Sequence, residues 1–166
     1  MAKTLTADDA KQSLATHVEG KGVEIFTHYG PQLGWSGLQR LLADRTQVRY
    51  PCEIVFDASG LQPGEFAHPE QKGANPEDGF TMFVHPLFMT QLDQVPALVL
   101  YQLVALNYGV FASSDDAETF GAAALGLTRD EYYDQLCEIS DQLGGSPEPA
   151  AMPASGGCGG GCSCGG

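Results

Sequence analysis

The sequence predicts an α+β domain, in which a small, mostly antiparallel sheet is covered by helices and the C-terminal half is helical. Three observations carry that expectation. Two short stretches, Cys52–Asp57 and Phe80–Val84, alternate with a period of two. One longer stretch, Val95–Tyr108, is apolar on nearly every side. Two capped, helix-periodic stretches then follow it.

Taken in order, Thr6 opens a short helix with Asp9 at its third position. Ala10, Leu14 and Val18 recur on one face, and Gly20 and Gly22 are expected to stop the helix. Val23, Ile25 and Thr27 alternate with polar neighbours and predict a strand up to His28. Tyr29-Gly30-Pro31 then turns the chain. Trp35–Ala43 places Leu38, Leu41 and Leu42 on one helical face. Cys52–Asp57 reads as a half-buried strand. The connection from Ala58 to Asp78 contains Pro63-Gly64, Pro69 and Pro76 and predicts a long loop. Phe80–Val84 gives a further strand, expected antiparallel to Cys52–Asp57.

Val95–Tyr108 predicts the central buried helix. Ser114 is expected to cap the next, which carries Phe120, Ala123, Ala124 and Leu127. Thr128–Glu131 has the capping-box pattern for the last. There Tyr132, Leu136, Ile139 and Leu143 form the buried stripe, and Gly144-Gly145 closes it. The organisation is therefore one globular domain over 1–145, a Pro/Ala-rich linker over 146–155, and a disordered Cys/Gly-rich tail over 156–166.

Composition limits the function. The 166 residues are 43% hydrophobic, enough for a real core, and carry 21 acids against 8 lysines and arginines. A net charge of −13 repels phosphate backbones, so nucleic acid is not the expected partner. Arg40, Arg45 and Arg49 form the one basic concentration and read as a solvated helix end and loop; the alternative is a docking patch for an acidic partner. No stretch reaches the ~20 apolar residues of a membrane span, and the first nine residues lack the pattern of a signal peptide. A cytoplasmic location, with thiols held reduced, is the resulting expectation. Gly165 and Gly166 follow Cys-Ser-Cys, which does not fit a prenylation signal.

The tail, Gly156-Gly157-Cys158-Gly159-Gly160-Gly161-Cys162-Ser163-Cys164-Gly165-Gly166, holds three of the five cysteines. It offers no apolar side chain for a core, so packing does not account for its sulfurs. Metal ligation, redox exchange or enzymatic modification remain. Ordering about nine such residues costs on the order of 10–15 kcal/mol. A four-ligand structural zinc site returns about 10–16 kcal/mol. Three thiolates therefore make a marginal site unless a fourth ligand, Cys137 or Cys52, or a second chain, completes it. Cu(I), zinc or an iron–sulfur cluster suits thiolates of this kind. A marginal site also releases what it binds, as a delivery protein requires. A flexible chain from Ser146 to Cys158 spans roughly 20 Å, enough to reach across much of its own domain or into a partner.

The tail resembles the cysteine- and glycine-rich extensions of metal-handling accessory proteins, including those of hydrogenase maturation, without the histidines of nickel-binding tails. That resemblance implies a metallochaperone acting on a metalloenzyme client, with Cys158, Cys162 and Cys164 as ligands. Gly156-Gly157 ahead of a Cys/Ser/Gly segment also looks like the precursor of a ribosomally made, modified peptide with a folded leader. A tail without specific role is the third reading.

Within the domain, His17, His28, His68 and His85 are scattered, and no pair has metal-motif spacing. His68, Glu70 and His85 are a possible cluster, and ordinary surface or capping histidines are the plainer reading. Cys52 and Cys137 read as small buried residues. Two strands, then Val95–Val104, then Ala117–Ala123, look like the layout of a small zincin metallopeptidase. In that family the buried helix carries His-Glu-x-x-His. Here Gln102-Leu103-Val104-Ala105-Leu106 stands in its place, with neither ligand nor base, and the resemblance implies a degenerate, non-catalytic scaffold. An enzyme is not expected.

Overall fold

The computed structural model describes Thr4 and residues 6–144. Five helices and a three-stranded sheet follow in the order α1 (Ala7–Tyr29), α2 (Trp35–Ala43), β1 (Cys52–Phe56), β2 (Ala67–Gln71), β3 (Phe80–Val84), α3 (Val95–Tyr108), α4 (Ser114–Leu125) and α5 (Arg129–Asp141). This is an α+β fold with a helical C-terminal half.

The expected strand at Val23–His28 is instead the second half of α1, which runs unbroken through Gly20 and Gly22. The buried residues decide it. Val18, Gly22 and Ile25 fall on one helical face, whereas Val23 is 51% exposed. Gly22 is a contact position: an added Cβ would stand 2.6 Å from the Phe120 carbonyl oxygen and 2.7 Å from the Ala123 Cβ. Absence of a side chain there lets α1 lie directly against α4.

Thr6 caps α1 with Asp9 completing the box, and Thr128 caps α5 with Glu131, both as the sequence predicts. On α4 the cap is Ser113, one residue before the expected Ser114, and Asp116 closes that box. Each box satisfies amide groups that a helix start otherwise leaves unpaired.

The sheet order is β1-β3-β2. β1 and β3 are parallel, pairing Cys52 with Phe80 and Phe56 with Val84, which corrects the expected antiparallel pairing. β2 lies antiparallel on the other side of β3, pairing Ala67 with Val84 and Gln71 with Phe80. The supposed loop 58–78 therefore contains a strand, and the sheet is mixed. A parallel pair needs a long crossover, and this segment supplies it. Pro69 disguises β2 in the sequence. It is tolerated because β2 is an edge strand whose outer side needs no donor.

α3 is the centre of the core, touching both β2 and β3 as well as α4. Leu98, Leu100, Leu103 and Val104 on its several faces are fully buried. Tyr132 of α5 is also fully buried, and its hydroxyl donates to the Ala97 carbonyl oxygen at 2.6 Å. Gly121 leaves room for that ring, where a Cβ would overlap it. α2 meets β1 through Trp35 and Phe56, whose ring centroids are 5.8 Å apart.

Candidate functional site

Cys158, Cys162 and Cys164, with the 146–155 linker, lie outside the described residues. Of the two further ligands considered for them, Cys52 starts β1 and Cys137 lies on α5; both are half-buried. Burial pushes the Cys52 thiol up to about 11, and Lys72 and Arg45 offset only part of that. A thiol so raised is protonated near neutral pH and ligates metal only after giving up its proton. Cys52 therefore fits the reading of a small packed residue.

Cys52 forms part of a cavity of about 480 Å³ between α2 and the free edge of β1. Trp35 and Leu42 from α2 and Ile54 from β1 supply apolar wall, with Arg45 and Lys72 at its polar margin. Lys72 is paired with Glu53 at 2.8 Å. The carboxylate in this lining is that same Glu53, taken up by Lys72.

His68 and Glu70 stand two apart on β2 and so share a face of the strand. His68 is opposite Phe83 in the register, and its Nδ1 lies 3.9 Å from Glu65 Oε1. Glu65 is committed elsewhere, its Oε2 accepting from the Gln62 amide at 2.7 Å. His85 caps the short turn after β3, its Nδ1 accepting from the Leu87 amide at 3.2 Å, with its ring edge-on to Phe88. Among the described residues no group of three or more His, Cys, Asp or Glu stands close enough to hold a metal ion. The possible His68/Glu70/His85 cluster is therefore not assembled. His17, on α1, packs edge-on against Tyr108 at 5.6 Å between centroids, and His28 lies in the last turn of α1.

Gln102–Leu106 is buried on α3, apart from the half-buried Ala105. Gln102 is 5% exposed, and its Nε2 has no hydrogen-bond partner among the described residues. Neither Gln102 nor Leu106 supplies a metal-binding imidazole at the four-residue spacing a zincin helix uses.

The basic concentration is more ordered than its sequence implies. Arg45 Nη1 donates at 3.1 Å to the carbonyl oxygens of Leu42, Val48 and Tyr50, fastening the turn between α2 and β1. Arg40 stacks over Tyr29 and Arg49 over Tyr50, with guanidinium-to-centroid distances of 5.8 and 5.9 Å. Asn107 of α3 ties down the same turn: its Oδ1 accepts from the Arg49 amide at 2.8 Å, and its Nδ2 donates to the Gln47 carbonyl at 3.0 Å. Sequence reasoning missed Gln47 and Asn107, because single polar residues in apolar surroundings carry no periodic signal.

Among the described residues no helix is long and apolar enough to cross a membrane. No protein-family model, no curated protein and no solved structure matches the chain.

Proposed function

We propose that this protein is a non-catalytic accessory factor that binds or delivers a soft metal ion or an iron–sulfur cluster through Cys158, Cys162 and Cys164. The observation that carries this reading is the Cys-x3-Cys-x-Cys spacing within a glycine-rich end, where sulfur chemistry is the remaining use for the cysteines. The raised Cys52 thiol supports a division of labour in which the domain's packed sulfur stays protonated and ligation falls to the tail. A three-thiolate site holds its ion weakly enough to pass it on. A protein client, a metalloenzyme under assembly, is the proposed recipient. The acidic surface favours a basic docking face on that client and disfavours nucleic acid.

Replacing Cys158, Cys162 and Cys164 together by serine tests this. Stoichiometric Cu(I), zinc or iron binding should disappear while the cooperative unfolding of the domain stays unchanged. Equal metal content in the triple variant defeats the proposal.

One feature favours a second reading. Gly156-Gly157 immediately precedes the first tail cysteine, the arrangement of a leader boundary in a modified-peptide precursor. Cleavage beside Gly157, or mass loss on the tail cysteines, distinguishes that case.

A further inference from the structure

A second cavity, of about 280 Å³, lies where α1, the 44–51 turn and the end of α3 meet. Lys21, Arg45 and Arg49 all line it, three of only eight lysines and arginines in a chain of net charge −13. His17 and Tyr108 form a further part of its wall. Such a convergence of cations in an acidic protein creates a local positive potential against the sign of the whole surface.

The charges are not all spent. Lys21 is paired with Glu24 at 2.9 Å, which neutralises it locally. Among the described residues no carboxylate pairs with Arg45 or Arg49. The hydrogen bonds they make go to backbone carbonyls: Arg45 to Leu42, Val48 and Tyr50, and Arg49 Nη1 to Asn107 at 3.4 Å. Both guanidinium groups are thus held in place beside one small cavity with no carboxylate among the described residues in contact with them. Arginine suits oxyanions better than lysine, because its planar fork matches two oxygens at once.

A second observation is independent of charge. Gln47, 7% exposed, is part of the same wall. Its Nε2 donates to Glu24 Oε2 at 3.0 Å, while its buried Oε1 has no partner among the described residues. Buried acceptors without a donor are uncommon and call for an explanation.

We propose that this cavity binds a small phosphoryl dianion, free hydrogen phosphate or a compact phosphomonoester. Two charges match the two unpaired guanidinium groups. A volume of about 280 Å³ accommodates a phosphoryl group with a few further heavy atoms. The inference is independent of the tail and its metal.

Calorimetric titration of the full chain with inorganic phosphate, glycerol 3-phosphate and succinate tests it. Saturable phosphate or glycerol 3-phosphate binding is expected, and the tighter of the two identifies the source. Arg49→Gln should weaken that binding about tenfold or more, the effect of losing one charge-assisted contact. Lys21→Gln, on a different element, should weaken it less. Arg40→Gln, outside the cavity, should leave it unchanged. The proposal is overturned by absence of saturable phosphate and phosphomonoester binding, by succinate binding as tightly as either, or by equal affinity in Arg49→Gln and Lys21→Gln.

Discussion

Gly22 of α1 touches the backbone of Phe120 in α4: an added Cβ would sit 2.6 Å from the Phe120 carbonyl oxygen. Two residues earlier, on the same helix, Gly20 has nothing among the described residues within 4 Å of its own Cβ position. One glycine is thus required by packing and the other is not. Gly22→Ala should destabilise the domain by about 1–3 kcal/mol, as overpacking does. Gly20→Ala should be neutral or stabilising by up to about 1 kcal/mol, since alanine is the better helix former. Urea unfolding of the two variants checks the contrast.

Tyr132 gives a pH signature. Burial raises its hydroxyl well above the usual value of 10.0, and burial also pushes Tyr101 up to about 12. In the unfolded chain both lose their protons near pH 10, whereas the folded chain retains them. The stabilisation is therefore complete below that pH and is lost as pH rises toward the folded values. Stability should fall by up to about 1.4 kcal/mol per pH unit for each such group. Tyr132→Phe should flatten that slope by one group. It should also cost about 1 kcal/mol near neutrality through loss of the hydrogen bond to Ala97. Denaturant titrations across the alkaline range read both effects.

Cys52 should label slowly. Its thiol stands at about 11 against an ordinary 9.0, which leaves roughly a hundredfold less thiolate at a given pH. Native alkylation, followed by peptide mass, should therefore run about a hundredfold slower at Cys52 than in the denatured chain. Equal rates would remove the case for a packed, non-ligating role.

Asn107 should matter more than its type implies. It is 7% exposed and exchanges hydrogen bonds with the 44–51 turn through both ends of its side chain. Asn107→Leu removes both while leaving the Arg49 amide and the Gln47 carbonyl without that partner. A loss of about 2–4 kcal/mol is expected, larger than for a typical surface polar residue. Thermal or urea unfolding measures it.

The helical half was legible because its signals are local. Thr6 and Thr128 announce their helices through residues three positions away, and Val95–Tyr108 is too apolar and too long for anything but a buried helix. What misled was local as well. Val23, Ile25 and Thr27 alternate, yet Val18, Gly22 and Ile25 satisfy a helix, and the α4 surface against them decides between the two periods. Pro69 hid β2, because whether proline is tolerated depends on edge position, which is a property of the assembled sheet. The direction of β3 relative to β1 was equally a matter of what lay between them. Of the basic cavity, Arg45 and Arg49 already stand together in the sequence, whereas Lys21 joins them only when α1 packs beside the 44–51 turn.

The central claim is that the tail cysteines hold metal or a cluster. The most direct test is the intact mass of protein isolated anaerobically from its native host, with native-spray detection of bound metal in the same sample. The account predicts a full-length, unmodified chain carrying metal that is lost when residues 156–166 are deleted. A truncated or chemically altered tail, or a full-length chain without metal, would contradict it.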